Sequence, residues 1–285
     1  DKEVFGFTLI PSTGWGVDDL DAKGRIVKAL DAGIDQFGGE QIPELLVELV
    51  EEGKVAESRL DESVKRILRD KFTLGLFDEP YLDLAESLKT MGKAEFVKAG
   101  KESQRKAMVL LKNEGVEGKK ALPLTKGLKI YVENIAEGSL AGYGTVVETP
   151  EEADIAILRL QTPWEPINKA GSMLENFFHQ GDLDFKGEEK ERILKIMEGV
   201  PTIVDMYMDR PAVIPEIAAK AVGLTVNFGA EDDALLDVLF GNFTPSAKLP
   251  FELPSSMEAV RKQKEDVPYD SKDPLYPFGA GLSYD

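Results

Sequence analysis

The chain has 285 residues, 42% apolar and 30% charged, a composition that suits one large or two ordinary globular domains. A formal net charge of -18 works against nucleic acid, whose affinity comes from cations set against phosphate, and favours a neutral substrate over an anionic one. There is no cysteine and a single histidine, which excludes disulfides, a thiol nucleophile, Cys-ligated zinc and a His-rich metal site.

A Ser-His-Asp triad would have to use that histidine, His179. No apolar run reaches the ~18 residues of a membrane span, so no membrane partner is expected. The opening stretch DKEVFGFTLIPSTGWG lacks a charged start followed by an apolar signal core. It reads as the interior of a domain, a short strand over Val4 to Ile10 and then a polar turn; compartment stays open.

Ile26, Val27, Leu30, Ile34 and Phe37 give helical spacing up to Gly33. IPELLVELVEEGKV places Pro43 at a helix start and Gly53 at its end, with Leu45, Leu46, Leu49 and Val50 on one face. SRLDESVKRILRDKFTLGLF predicts a second amphipathic helix, with Leu60, Val64, Ile67 and Leu68 sharing a face. Asp61–Lys65 and Glu62–Arg66 are its i,i+4 pairs. FDEPYLD reads as a crossing segment. A further helix is expected near Phe96 to Val109, leading into MVLLKNEG, a strand ended by Asn113 and Gly115.

Beyond that point strands and helices alternate. LKIYVENI, ADIAILRL, PTIVDMYM and AVGLTVNF are short β-branched runs, while GEEKERILKIMEGV and EDDALLDVLFG have helical period. Such alternation predicts a mostly parallel sheet covered on both faces. The tail DPLYPFGAGLSYD reads as irregular.

Four features invite a functional reading. EGSLAGYG (137–144) follows a strand and has glycines enough to cradle a phosphate, but its spacing matches neither GxGxxG nor GxxxxGK[ST], and a plain loop explains it. Asp205, Asp209 and Arg210 lie around the end of a strand, where ligands gather in open α/β sheets. Arg210 would equally serve to pair with an acid and fix a turn. His179, in LENFFHQGDLDF, sits among aromatics, where a histidine is commonly a structural hydrogen-bonder. Glu165 and Glu175 are the acids of the long loop after AILRL. Trp164 beside Glu165 would supply the desolvation that a general acid needs near neutral pH.

Several stretches, taken together, resemble the C-terminal part of glycoside hydrolase family 3, the β-glucosidase and β-xylosidase group. They are ALDAGIDQFGG, ESRLDESVKRILRDKFTLGLFDEPYLD, ESQRKAMVLLKNEG with a later LPL, ADIAILRL, DRPAVIPEI, ALLDVLFGNFTPSAKLPFELP and YPFGAGLSY. The resemblance runs over nearly the whole chain, and the order and spacing of these pieces are specific. It implies an α/β fold: a six-stranded α/β sandwich preceded by the last helices and strands of an incomplete (β/α)8 barrel. The implied boundaries are 1–77 for the barrel remnant, 78–97 for a linker and 98–285 for the sandwich with its irregular tail.

The resemblance also implies chemistry. Family members cleave terminal β-linked sugars from neutral glycosides with retention, using two carboxyls about 5–5.5 Å apart and no metal or organic cofactor. The acid/base Glu follows the strand that ADIAILRL resembles, which makes Glu165 the first choice and Glu175 the second. Trp164, His179 and Arg210 are the implied substrate-binding residues. The nucleophile is unknown: GFTLIPSTG is shorter than the family pattern GF-x-G-x-V-x-S-D-x-G, and no Asp follows Ser12. The next acids, Asp18 and Asp19, belong to WGVDDL. Most of the barrel is also missing. The two readings are therefore a portion of a β-glycosidase lacking its nucleophile, or a non-catalytic module that binds carbohydrate or a partner. Leu45, Leu46, Leu49, Leu60, Val64 and Ile67 would lack barrel strands to face. They are expected to pack on the sandwich, on each other or across a homodimer, because each exposed apolar side chain forgoes roughly 1.5–3 kcal/mol.

Overall fold

The structure, a computed structural model, describes residues 3–4, 7–8, 17, 19–38, 42–115, 119–165, 179–264 and 266–284. The chain divides into two compact units, Asp1–Met91 and Gly92–Asp285.

In the first unit, β1 (Glu3–Val4) pairs antiparallel with β2 (Phe7–Thr8), with Val4 opposite Phe7. The single strand expected over Val4 to Ile10 is therefore two short ones. Helix α1 (Ala22–Asp31) starts where the Asp21 carboxylate accepts the Gly24 N–H at 2.7 Å. Helix α2 (Pro43–Glu51) opens on its proline, where the missing N–H costs nothing. Helix α3 (Glu57–Thr73) is tied back to α1 by Arg59, whose Nη2 donates to the Leu30 and Ile34 carbonyls at 2.8 and 3.0 Å.

The core of this unit is Ile26, Leu30, Leu49 and Val55, with Leu45, Leu46 and Leu60 half-buried against them. Those leucines pack on each other, as expected. Val64 does not: it is 50% exposed, and Leu68 is exposed too. The inward line of α3 runs through Leu60, Ser63 and Ile67 instead. Ser63 is buried because its hydroxyl donates to Asp35 at 2.8 Å and accepts from Arg59 at 2.7 Å. A polar residue with both needs met has taken the place the apolar period assigned to a valine. A short helix that the sequence pattern did not signal, α4 (Leu84–Thr90), follows, capped by Asp83.

The second unit begins with α5 (Ala94–Ala107) and β3 (Val109–Asn113). It continues through β4 (Lys129–Glu133), β5 (Thr145–Val146), β6 (Ile155–Gln161), α6 (Gly187–Gly199), β7 (Thr202–Tyr207), α7 (Pro215–Lys220), β8 (Gly223–Asn227), α8 (Asp232–Leu239) and α9 (Met257–Lys262). Its six strands lie in the order β3-β8-β7-β6-β4-β5. Only the β3–β8 pairing is antiparallel. Both faces carry a core. Leu158, Leu160, Val204, Met206 and Val226 pack with Ile193 of α6 and Ile217 of α7. Ile130, Ile155, Ile157 and Ile203 pack with Leu235, Leu236 and Leu239 of α8. Alternate residues of each strand thus feed opposite layers, the signature of a sheet buried on both sides. The irregular tail closes on this sheet, with the Leu282 N–H donating to the Leu110 carbonyl at 2.6 Å.

The chain runs from β4 to β5 on one side and then returns to β6 on the other side of β4. That reversal puts a topological switch point at the carboxyl ends of β4 and β6, the place where open α/β sheets form crevices.

Candidate active site

The loop after β6 begins at Thr162, which is buried and anchored twice to the loop after β7. Its N–H donates to the Tyr207 carbonyl at 3.0 Å, and its hydroxyl donates to the Arg210 carbonyl at 2.8 Å. Arg210 returns the contact: Nη2 donates to the Pro163 carbonyl and Nη1 to the Gly181 carbonyl at 3.0 Å. Trp164 stacks on the His179 ring, with centroids 4.6 Å apart and planes 13° from parallel. His179 is itself held through Nδ1 by the Asp209 carboxylate. The Glu165 N–H donates to the Gln180 carbonyl at 2.8 Å. Gly181 lies against Glu165 with φ +82°; a Cβ there would fall 2.6 Å from the Glu165 Cβ. Only glycine fits both the conformation and the space.

The result is an open cleft of about 420 Å³ between residues 161–165 and 182–189. Glu165 points its carboxylate at Lys186, 3.2 Å away, and its side chain is 60% exposed. The apolar cover expected from Trp164 is thus not what surrounds it, because the indole packs on His179. Asp182 binds the same ammonium at 2.6 Å, and this hydrogen bond, ahead of the one to Glu165, raises the Lys186 pKa. Asp182 is held below the usual carboxylate range, first by Lys186 and then by Arg261.

Beneath the carboxyl end of the sheet runs a buried ionic network. Asp205 of β7 is fully buried. It receives Arg159 Nε at 3.1 Å, the Thr225 hydroxyl at 2.8 Å and the Asn227 amide at 2.8 Å. Burial pushes its carboxyl up, against the pull of Arg159 and the two neutral donors. Arg159 also binds Asp232 at 2.6 Å, at the start of α8. Asp232 in turn accepts from the Ala136 N–H at 3.0 Å and the Ser139 hydroxyl at 3.1 Å. Ser139 of the glycine-rich stretch 137–144 thus binds a carboxylate of the chain itself, and Glu137–Leu140 form a 3-10 helix where a plain loop was expected. Asp205 serves the network and Asp209 serves His179.

A model of the glycosyl hydrolase family 3 C-terminal domain matches residues 140–284, half of the chain. The chain belongs to glycosyl hydrolase family 3. It is 48% identical over 96% of its length to the probable beta-glucosidase C of Aspergillus flavus, of which it covers 43%. It is 42% identical over 95% of its length to the periplasmic beta-glucosidase/beta-xylosidase of Dickeya chrysanthemi, covering 41% of that protein. The chain thus spans about two fifths of the curated relatives it matches. In fold it is similar to the beta-glucosidase of Listeria innocua solved in complex with isofagomine, with a TM-score of 0.62 at 23% identity. That similarity covers 92% of this chain and 44% of the Listeria chain.

In this family 3 domain, Trp164, Glu165, His179 and Arg210 come together around one loop, although 45 positions separate Glu165 from Arg210 in the sequence. Glu175 and the Ser12 segment lie outside the described residues. Asp209, noted in the sequence beside Arg210, belongs to the same arrangement, as do Thr162, Gly181 and Lys186, which were not singled out by sequence. The Gly181 signal was present in HQGD, a glycine two residues past the lone histidine. Among the described residues no group of three or more His, Cys, Asp or Glu is placed to hold a metal ion. No helix among them is long and apolar enough to cross a membrane.

Proposed function

We propose that this chain is the carboxyl-terminal part of a retaining, exo-acting β-glycosidase for neutral glucosides or xylosides. The substrate class is supported by the names of relatives at 42–48% identity, β-glucosidases and a β-glucosidase/β-xylosidase. Glu165 is the acid/base in this reading and Glu175 the second choice. The observation that carries Glu165 is its placement. It stands at the carboxyl end of a central strand, its N–H tied to Gln180, its neighbour Trp164 fixed by His179 and Asp209, and its loop fixed by Arg210.

Chemically, a nucleophilic carboxylate outside the described residues attacks the anomeric carbon while Glu165 gives its proton to the leaving oxygen. Glu165 then takes a proton from the water that releases the sugar. Trp164 offers a flat apolar face for a sugar ring, backed by His179, and Arg210 supports the substrate side of the loop. Residues 1–77 are the end of a (β/α)8 barrel in this reading, 78–97 a linker and 98–285 the sandwich. The rest of the barrel corresponds to the length of the relatives that this chain does not span; a homodimer is the other way to cover the exposed apolar side chains of α3.

A non-catalytic carbohydrate-binding module is the second reading. It is favoured by the open setting of Glu165, ion-paired to Lys186 and mostly exposed. Hydrolysis of aryl β-D-glucoside and β-D-xyloside by the 285-residue chain, alone and joined to a complete barrel, separates the two. The glycosidase reading expects turnover with retained configuration once the barrel is present. No turnover in either form, with sugar binding intact, leaves the module.

A further inference from the structure

One set of strand positions changes character along the sheet. On the α8 face, Ile155, Ile157 and Ile203 are core. The next positions of the same parity are Arg159 and Gln161 on β6, Asp205 and Tyr207 on β7, and Thr225 and Asn227 on β8. The apolar layer therefore stops halfway up the strands and a polar one replaces it. Above that layer, at the switch point between β4 and β6, lies a crevice of about 440 Å³, walled by Asn134, Gln161, Tyr207 and Ala230. Its volume falls in the range of small-molecule sites, about 300–1,000 Å³. It adjoins the cleft beside Glu165, which opens between the β6 loop and the start of α6; Gln161 borders both, whereas Asn134, Tyr207 and Ala230 line only the crevice.

The chemistry of the walls narrows the occupant. The guanidinium of Arg159 is already paired with Asp205 and Asp232, so no unmatched cation is offered to a phosphate or carboxylate. Asn227 is buried and committed inward, donating to Asp205 and accepting from the Gly229 and Ala230 N–H groups. Asn134, held in the left-handed region at φ 58°, donates its amide to the Arg159 carbonyl at 2.8 Å and keeps its side-chain oxygen as an acceptor. The Gln161 amide and the Tyr207 hydroxyl have no partner among the described residues. What faces the crevice is therefore neutral donors and acceptors beside one aromatic ring.

The geometry points to a second binding site here, for a neutral, hydroxyl-rich ligand of monosaccharide size. It rests on the glycosidase reading only in the choice of a sugar as the probe. Hydrolysis is measured separately, so the failure of one reading is distinguishable from the failure of the other.

The test is calorimetric titration of the 285-residue chain with glucose and, in a parallel arm, glucose 6-phosphate. Tyr207→Phe and Gln161→Ala are the variants; both side chains are at least partly exposed, and circular dichroism checks their folding. The expected result is saturable millimolar binding of glucose, weaker binding of the phosphate ester, and a loss of about fivefold in affinity in each variant, as for one hydrogen bond. Absence of saturable glucose binding, or tighter binding of the phosphate ester, overturns the proposal. So does binding that Tyr207→Phe leaves intact while Glu165→Gln abolishes it, because Gln161 borders both cavities and only Tyr207 belongs to the crevice alone, so that result places the sugar in the neighbouring cleft.

Discussion

Among the described residues, the unit Gly92–Asp285 buries large apolar side chains on both faces of its sheet, whereas the unit Asp1–Met91 fully buries only Ile26, Leu30, Leu49 and Val55 as its apolar core. In the first unit and its end, Val64, Leu68, Phe72, Leu74, Leu82 and Leu84 stay exposed, Leu82 at 90%. A sheet with helices on both sides closes its own core. Three helices that share one small core leave their outer apolar faces open. The lesson is that the second unit covers its apolar layers within itself, while the first leaves apolar side chains open.

The sharpest way to break the comparison is at Arg159. Arg159→Met leaves Asp205 buried beside no cation and is expected to destabilise the second unit by about 3–5 kcal/mol in a denaturant titration. The sign with pH follows from Asp205, whose carboxyl is pushed up by burial. A raised folded-state pKa gives stability that is present in acid and lost as pH rises through the folded value, so the variant's deficit is smallest in acid. A deficit independent of pH would mean that Arg159 does not hold the Asp205 carboxyl down against its burial.

Gly181→Ala moves the comparison from stability to the site. The new Cβ meets the Glu165 side chain at 2.6 Å and the left-handed backbone resists it. In a form that turns over, a displacement of about 1 Å costs on the order of 100-fold in kcat/KM, with binding in the β4/β6 crevice unchanged. Phe72→Ser tests the open face. In this chain it changes stability by less than about 0.5 kcal/mol. Joined to a complete barrel, the same change costs roughly 1.5–3 kcal/mol if that barrel covers the ring. Equal effects in both forms would show that the face stays in water.

Glu52 gives the smallest effect. Hydrogen bonds from Lys23 first and Lys54 second hold its carboxyl down to about 2, from an ordinary value of 4.5. A depressed folded-state pKa gives stability that is present above the unfolded value and lost as pH falls through the folded one. Stability tied to the first unit therefore declines between 4.5 and about 2, and Glu52→Gln flattens that decline. The group is exposed, so salt shrinks the effect further.

Much of the fold was legible in the sequence for a physical reason. β6, β7 and β8 are β-branched runs buried on both sides, and α2, α3, α6 and α8 have clear periods with Pro or acidic starts. What escaped was short. α4, α7 and α9 have six or seven residues, and β5 has two, too few for a period to register. The α3 face was misassigned because pattern reading does not foresee a serine buried by two polar partners. At the candidate site, the position of Glu165 after a strand was legible. Its surroundings were not, since Trp164 finds His179, and Arg210 finds Pro163 and Gly181, across the chain rather than along it. The polar half of the α8 face was written in the alternation of IAILRLQ and PTIVDMY, but only the shared parity of neighbouring strands brings those residues into one crevice.

The central claim, that Glu165 is the acid/base, is tested most directly by Glu165→Gln in a form that turns over, assayed on aryl β-glucosides of rising leaving-group pKa with and without azide. The account predicts near-normal release of activated phenols, a loss of about 100- to 10,000-fold for poor leaving groups, and azide rescue of the second step. A uniform loss across all leaving groups, or none, with no response to azide, would contradict it and move the role to Glu175 or to a residue outside this chain.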